Sequence, residues 1–508
     1  MKRRAIDVFL PLGEPETRLG ARVAAELSRP VAPEFHVARR SLDARRGRIG
    51  YWYHVRLGPA PDPPPSPQIV VRRAAPRVVI VGSGPAGAFA ALRLVRSGVV
   101  PLIVERGQAV QPRRRDIAAL LQRGELRADS NYCYGEGGAG TFSDGKLYTR
   151  VKDRRAVEEV LRTLVEFGAP TEILVDARPH VGSNRLPNVL MRLRSFLQEH
   201  GCEYRFGACV EDLLLHGSDV RGVRLRDGAE IAGDAVVLAT GHSARDVYEL
   251  LRRRGVVMQR KPYAIGLRIE QPQPLIDRIQ YGRHAGHTQL PPAAYTITAN
   301  CAERSVYSFC MCPGGFVVNS ATEPGGVATN GMSLSRRASP WANSGIVVTI
   351  DPGEFCENPD EVLAGVELQR QCERRAFALG GGSFAAPAQR VTDFLADRAS
   401  QDLPRSSFRP RPVAADLHDV LPAAVIGALR EGLRRFEDKM RGFITEEAIL
   451  IGVETRTSAP VRVVRDAGTL QSPSHKGLYP CGEGSGHAGG IVSAAIDGLR
   501  VAERLTAR

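Results

Sequence analysis

What this 508-residue chain lacks already narrows what it can do. No apolar run reaches the roughly 18 residues that a membrane-crossing helix needs, so no span is expected. The start is basic (Lys2, Arg3, Arg4) but runs into IDVFLPLGEPE, broken by proline and acids, which does not read as a secretory signal. No glycine-rich loop ends in the G-K-[ST] of a P-loop, which argues against nucleoside-triphosphate hydrolysis. The C-x-x-C pairs and H-x(3–5)-H spacing of a zinc site are missing, so no metal is expected. The nine cysteines are an odd number scattered without a disulfide-framework pattern. That points to a reducing compartment, the cytoplasm. Only one G-x-G-x-x-G opens a helix and has an acidic strand end after it, so a second, NAD(P)H-binding unit of that type is not visible.

What is present is organised around Arg77 to Arg106, RVVIVGSGPAGAFAALRLVRSGVVPLIVER. An apolar run, Val78 to Val81, leads into Gly82, Gly84 and Gly87, then an Ala/Leu-rich helix and a second apolar run ending at Glu105. Gly82 permits the tight strand-to-helix turn, Gly84 lets backbone N–H groups approach a pyrophosphate, and Gly87 lets the helix pack close to the strand. The helix N-terminus, from Pro85 and Ala86 onward, offers unpaired N–H groups to phosphates, and Glu105 can accept from an adenosine ribose. These residues specify a dinucleotide site.

The flanking segments suggest five regions. Residues 1–60 form a small α+β unit: a strand at Ile6 to Leu10, a helix at Thr17 to Leu27 and a strand at Gly50 to Leu57. Residues 61–75 are a proline-rich linker. Residues 76–258 form the first part of a Rossmann-like α/β domain, 259–456 an inserted, mainly antiparallel domain, and 457–508 the rest of the Rossmann-like domain. In the first unit Arg39, Arg40, Arg45, Arg46 and Arg48 lie beside Tyr51, Trp52 and Tyr53. Charge plus stacking surfaces could bind RNA, but no RNA-module signature is present, and a docking or lid unit with a solvated basic turn explains them more simply. The net charge of +14 fits anionic partners, but Asp and Glu are interleaved throughout, so solvated charged faces account for it more simply.

Three further segments place small-residue backbone near a ligand. NYCYGEGGAGTFSDGKL, Asn131 to Leu147, carries Gly138, Thr141, Ser143, Gly145 and Lys146 in a loop fit to wrap a phosphate or a flat ring. A buried strand runs into Ala239-Thr240-Gly241 at the carboxyl edge of the sheet, where open α/β sheets bind ligands. The chain closes on PCGEGSGHAGGIVSAAIDG, a glycine-rich turn entering a helix.

Together the opening βαβ unit, the Ala-Thr-Gly turn and the terminal segment resemble flavoproteins of the glutathione-reductase-like class. NYCYGEGGAGTFSDGKL, ATGHSARD, SFCMCPGGFV, ATNGMS, VETRTSAP and the terminal segment are similar to those of the bacterial FAD-dependent, or NAD(FAD)-utilising, dehydrogenases, as is Ser41-Leu-Asp-Ala-Arg45 in the first unit. The resemblance spans nearly the whole chain. It implies FAD held at its pyrophosphate by Gly82, Gly84 and Gly87 and at its ribose by Glu105, beside Arg106. Backbone at Val210 would meet the adenine with Gly241 near. Glu483 stands where such flavoproteins usually carry Asp, near the ribityl chain and pyrophosphate. Gly489, Gly490 and Ile491 would present N–H groups to the flavin N1–C2=O edge.

Candidate chemistry rests on few side chains. Cys310 and Cys312, in C-M-C-P-G-G, could close a strained disulfide that exchanges electrons with a flavin, or be two small side chains in a tight loop. Cys133 and Cys481 precede glycine-rich turns. His242, His287 and His487 are candidate proton donors, with His487 the best placed. Arg456 could clamp a substrate carboxylate or simply pair with Glu454. The expected protein is an FAD-dependent oxidoreductase moving a hydride between a small organic substrate and flavin N5. Electrons would come or go by transient NAD(P)H or another carrier. An RNA-modifying flavoprotein and an FAD-stabilised binding protein without turnover are the alternatives.

Overall fold

The computed structural model describes residues 5–45, 49–61, 69–70, 75–301, 304–351, 353–356, 358 and 360–507. A five-stranded parallel sheet runs Leu478–Pro480, Ala235–Leu238, Val78–Val81, Leu102–Glu105, Glu203–Phe206. Its inner strands are apolar on both faces because both faces are covered. The helices Pro85–Arg96 and Ile491–Thr506 cover one face and touch closely. A Cβ on Gly498 would lie 2.1 Å from the Ala86 carbonyl oxygen, so only glycine permits that approach. A three-stranded antiparallel sheet, Val210–His216, Asp219–Leu225 and Glu230–Ala232, packs Val220 and Val223 against Val79 and Val236 on the other face. Strands from residues 78–238 thus share one sheet with a strand at 478–480, and the chain leaves this body and returns to it.

The excursion forms a seven-stranded sheet: Thr298–Cys301, Arg304–Cys312, Trp341–Ile350, Tyr263–Pro272, Ile449–Glu454, Pro387–Arg390, Val413–Ala414. All neighbours are antiparallel except the last pair. Helix Ala423–Lys439 buries Val425, Leu429, Leu433 and Phe436 in the same core as Ile265, Ile346 and Ile451. Arg245, from a helix of the first body, meets Glu373 on helix Ala364–Leu379 of the second at 2.7 Å, and Glu373 also takes Arg456 at 2.8 Å. All three side chains are buried. Such a fully paired cluster fixes the relative placement of the two bodies, since separating them would leave buried charge uncompensated.

The N-terminal unit is a three-stranded sheet, Ala5–Pro11, Gly50–Leu57, Phe35–Asp43, with helix Leu19–Glu26. The basic stretch expected as a solvated turn begins inside the strand Phe35–Asp43. There Arg40 docks the unit: its N–H donates to Val175 at 2.7 Å, its carbonyl accepts from Ala177 at 2.8 Å, and its guanidinium meets Asp176 at 2.9 Å. Tyr51 donates to the Gln289 carbonyl at 2.6 Å, and Tyr53 is buried. Of the other expected elements, Arg46, Arg48 and linker residues 62–68 and 71–74 lie outside the described residues. Among the described residues no helix is long and apolar enough to cross a membrane.

Candidate active site

One cavity of about 1040 Å³ runs from the first glycine turn to the antiparallel sheet. It stands at the upper end of the range for small-molecule and cofactor sites. At one end it is lined by Gly82, Gly84, Pro85, Ala86, Glu105, Arg106, Val210 and Gly241. Its middle is formed by Gly138, Ser143, Gly145, Arg456, Glu483, Gly489, Gly490 and Ile491. At the other end stand Lys146, Tyr148, Tyr295, Tyr307, Cys310 and Asn330.

The glycine turn works as a backbone cradle. Gly82 has φ 102°, and a Cβ there would sit 2.5 Å from the Ala239 carbonyl. Gly87 faces away from the cavity, where a Cβ would sit 2.0 Å from the Gly82 carbonyl. Helices Pro85–Arg96 and Ile491–Thr506 both begin at this cavity, and neither N-cap, Gly84 or Gly490, supplies a capping side chain. Two helix N-termini therefore direct partial positive charge toward one space.

Glu105 is buried behind the turn. It accepts from the Ser83 N–H and hydroxyl at 2.9 Å each, from Gly107 N–H at 2.9 Å and from Gly135 N–H at 3.0 Å. Four donors fill both carboxylate oxygens, so Glu105 shapes the cradle rather than holding a free acceptor for a ribose. Arg106 pairs with Asp246 at 2.6 Å. Arg113, fully buried, donates to the carbonyls of Asn131, Tyr132, Glu136 and Gly138 and to the Thr141 hydroxyl. Burial brings its pKa down to about 10. Thr141 is thus a support of the loop and does not line the cavity, which corrects its expected contact with the cofactor.

At the sheet end the side chains come from distant segments. Lys146 lies 2.6 Å from Asp144, 3.2 Å from Cys312 Sγ and 3.6 Å from Cys310 Sγ. Its ammonium is committed there, so it does not serve as the phosphate ligand expected of that loop. Asp144 also takes His180 at 3.0 Å. Burial works to raise the Asp144 carboxyl, and Lys146 and His180 bring it below its ordinary value. Arg268 holds Glu454 at 2.8 Å and Asn343 at 2.8 Å beneath the two cysteines. Both cysteines are free thiols. The hydrogen bond from Cys312, with Lys146 and Arg268, holds Cys310 well below the ordinary thiol value against burial; burial and that neighbour push Cys312 up.

Other expected roles change. Arg456 donates to both oxygens of Glu373 and to Thr322, and it pairs with neither a free space nor Glu454; its fork is filled, so it is not a carboxylate clamp. His487 lines the cavity, but its Nε2 bonds the Val463 carbonyl at 2.9 Å, and burial lowers its pKa. A neutral ring with its N–H committed is an acceptor, not the proton donor expected. His242 is likewise neutral, bonded to the Arg456 carbonyl at 3.0 Å and lowered by burial. His287 does not line the cavity, nor does the buried Cys481, whereas Cys133 does. The Gly490 N–H donates to Glu483 at 3.1 Å and the Gly489 N–H to Ser493 at 3.0 Å, so two of the three N–H groups expected for a flavin edge are already engaged. Sequence reasoning missed Tyr148, Tyr295 and Tyr307, which carry no motif, gave no role to Asn330 within the ATNGMS segment, and missed the hub role of Arg113, whose signal was only a run of arginines.

Residues 262–457 match the family model described as FAD-dependent protein, C-terminal domain-like. An uncharacterised protein of Clostridium beijerinckii is 46% identical over 433 residues, covering 84% of this chain and 80% of that protein. An Escherichia coli protein described as a probable electron transfer flavoprotein-quinone oxidoreductase is 28% identical over 192 residues, 37% of this chain and 42% of its own. Among solved structures, a flavin-dependent brominase shares 14% identity at a TM-score of 0.37, covering 85% of this chain and 79% of that one. A glycine oxidase from Bacillus cereus shares 12% at 0.35, covering 85% and 94%. FAD is the cofactor that the family model supports, and the cradle fits it: two uncapped helix N-termini face one cavity at glycines with no side chain to block it.

Proposed function

The chain belongs to the same family as its Clostridium beijerinckii relative and carries an FAD-dependent protein C-terminal domain at residues 262–457, and from that premise we propose that it is an oxidoreductase passing a hydride between a small organic substrate and flavin N5. The observation that carries this reading is the single continuous cavity, with backbone at one end and titratable and aromatic side chains at the other. FAD supplies the two-electron chemistry when bound. In this reading Gly82, Gly84, Pro85 and Ala86 face the pyrophosphate, with Gly87 packing the helix behind them. Val210 and Gly241 border the adenosine end. Gly138, Ser143, Gly145, Glu483 and Ile491 border the ribityl chain and ring, and the N-terminus of helix Ile491–Thr506 favours a negatively charged reduced ring. Tyr148, Tyr295, Tyr307 and Asn330 enclose the substrate and exclude water. His487, held neutral by burial, offers its other ring nitrogen as a hydrogen-bond acceptor there.

The redox partner is NAD(P)H binding transiently, or another electron carrier; the Escherichia coli relative, described as a probable electron transfer flavoprotein-quinone oxidoreductase, speaks for the latter. The test is the visible spectrum of the purified chain, followed by anaerobic addition of NADH, NADPH and, after photoreduction, candidate oxidants. A yellow protein whose flavin is bleached or reoxidised by one of these is the expected result. A colourless protein that takes up no FAD overturns the reading. RNA binding is the weaker alternative, because Arg40, Tyr51 and Tyr53 are turned to docking and core rather than to an open stacking face.

A further inference from the structure

We propose that Cys310 and Cys312 are a redox-active dithiol opening on the flavin cavity, able to exchange two electrons with FAD by closing to a disulfide. This rests on FAD occupying the cavity as described above.

The strand Arg304–Cys312 carries a one-residue bulge: Phe309 faces Gly345, but Cys312 faces Asn343. Cys310 sits in that bulge at φ 47°, a left-handed conformation that non-glycine residues rarely adopt outside functional sites. Its consequence is that both sulfurs converge on the one ammonium of Lys146, at 3.6 and 3.2 Å. Cys310 lines the cavity and Cys312 is wholly buried beneath it. Gly331 keeps the floor clear, since a Cβ there would lie 2.9 Å from Cys312 Sγ and 2.4 Å from the Arg268 guanidinium. Lys146 belongs to the loop that also lines the cavity beside Gly84 and Ile491. The thiol pair therefore shares one enclosed space with the cofactor cradle.

The step balances without another reactant. The Cys310 thiolate and the Cys312 thiol form one S–S bond, losing two electrons and the Cys312 proton; oxidised FAD takes up both electrons and that proton, becoming its reduced anion. A disulfide across one intervening residue closes a small, strained ring, and strained disulfides are the more oxidising ones, so reduced flavin drives the reverse step readily.

The test is an anaerobic dithionite titration of the oxidised, FAD-loaded full chain. The wild type should consume four electrons per flavin and Cys312→Ser two. Two electrons for the wild type, with a normal bound-flavin spectrum, overturns the dithiol while leaving the flavin reading intact; loss of flavin altogether sinks that reading instead. If Cys312→Ser does not fold, iodoacetamide mapping of the wild type decides. Denatured anaerobically in iodoacetamide, the peptide holding Cys310 and Cys312 should be unlabelled when oxidised and doubly labelled after dithionite, and equal labelling in both states overturns the proposal. Lys146 is a positioning residue. Around Cys310 stand Lys146, Arg268, Asp144, Glu454, Tyr148 and Cys312. Lys146→Met should move the pH at which Cys310 alkylates upward and Lys146→Arg should restore it; an unmoved profile overturns the role of Lys146.

Discussion

The two ends of the cavity are built from different materials. The nucleotide end is backbone: glycine turns and two bare helix N-termini, held from behind by buried Glu105 and Arg113, which spend their hydrogen bonds on the loops themselves. The sheet end is side chain: Lys146, Asp144, Cys310, Cys312, Arg268 and Glu454, drawn from four separate segments. A backbone cradle recognises what all dinucleotides share, phosphate charge and ribose. Side chains in a dry pocket set proton and electron affinities, because there each charge is felt at low dielectric. Binding and reactivity are thereby separable by mutation.

The largest expected effect lies between the two ends. Arg456→Ala leaves buried Glu373 with Arg245 and the Thr455 hydroxyl and should cost about 3–5 kcal/mol, read as a lowered urea midpoint. A rise in KM with stability unchanged would restore the clamp role that the geometry denies. Next, Gly87→Ala drives a methyl into the Gly82 carbonyl and should cost about 1–3 kcal/mol together with visible flavin, read from the absorbance ratio after gel filtration. If the colour is kept, the backbone cradle is less exacting than described.

A smaller effect follows from pH. Burial works to raise the Glu373 carboxyl, but Arg245 and Arg456 overcome it and hold it below its ordinary value. A depressed folded value stabilises above the unfolded value, about 4.3, and that stabilisation is lost as pH falls through the folded value. Urea midpoints should therefore decline as pH drops below about 4.3, and Glu373→Gln, less stable at neutral pH, should lose part of that slope. A slope identical in the variant would assign the acid sensitivity elsewhere. Smallest is Arg40→Ala, which removes a partly exposed pair with Asp176, expected to cost about 1 kcal/mol or less, with proteolysis near residues 58–75 as the measure and the flavin spectrum unchanged.

Much of the nucleotide end was legible because its signal is local. Strand, glycine spacing and helix lie within Arg77 to Arg106, and the helix Pro85–Arg96 begins where the glycines place it. The C-x-C pair was legible as a pair of thiols. Its ammonium was not, because Lys146 stands far away in sequence and was read with the phosphate loop. Arg456 shows the reverse error. Its neighbour Glu454 offered a partner by proximity in the chain, yet Glu454 ends its strand against Arg268 and Arg456, two residues past that end, meets Glu373, each drawn to a different buried partner. The basic stretch from Arg39 reads as a turn in the sequence because strand Phe35–Asp43 has no fully buried apolar position to betray its period.

By itself the sequence determined the parts that depend on short-range backbone geometry: where a helix can begin beside a strand, where only glycine fits, and which sheet strands are apolar on both faces. The tertiary structure alone decided which charge meets which. Ion pairs and hydrogen bonds act over a few ångströms in space and carry no sequence period, so the cluster of Lys146 with Cys310 and Cys312, and of Arg456 with Glu373, exists only once distant segments have packed.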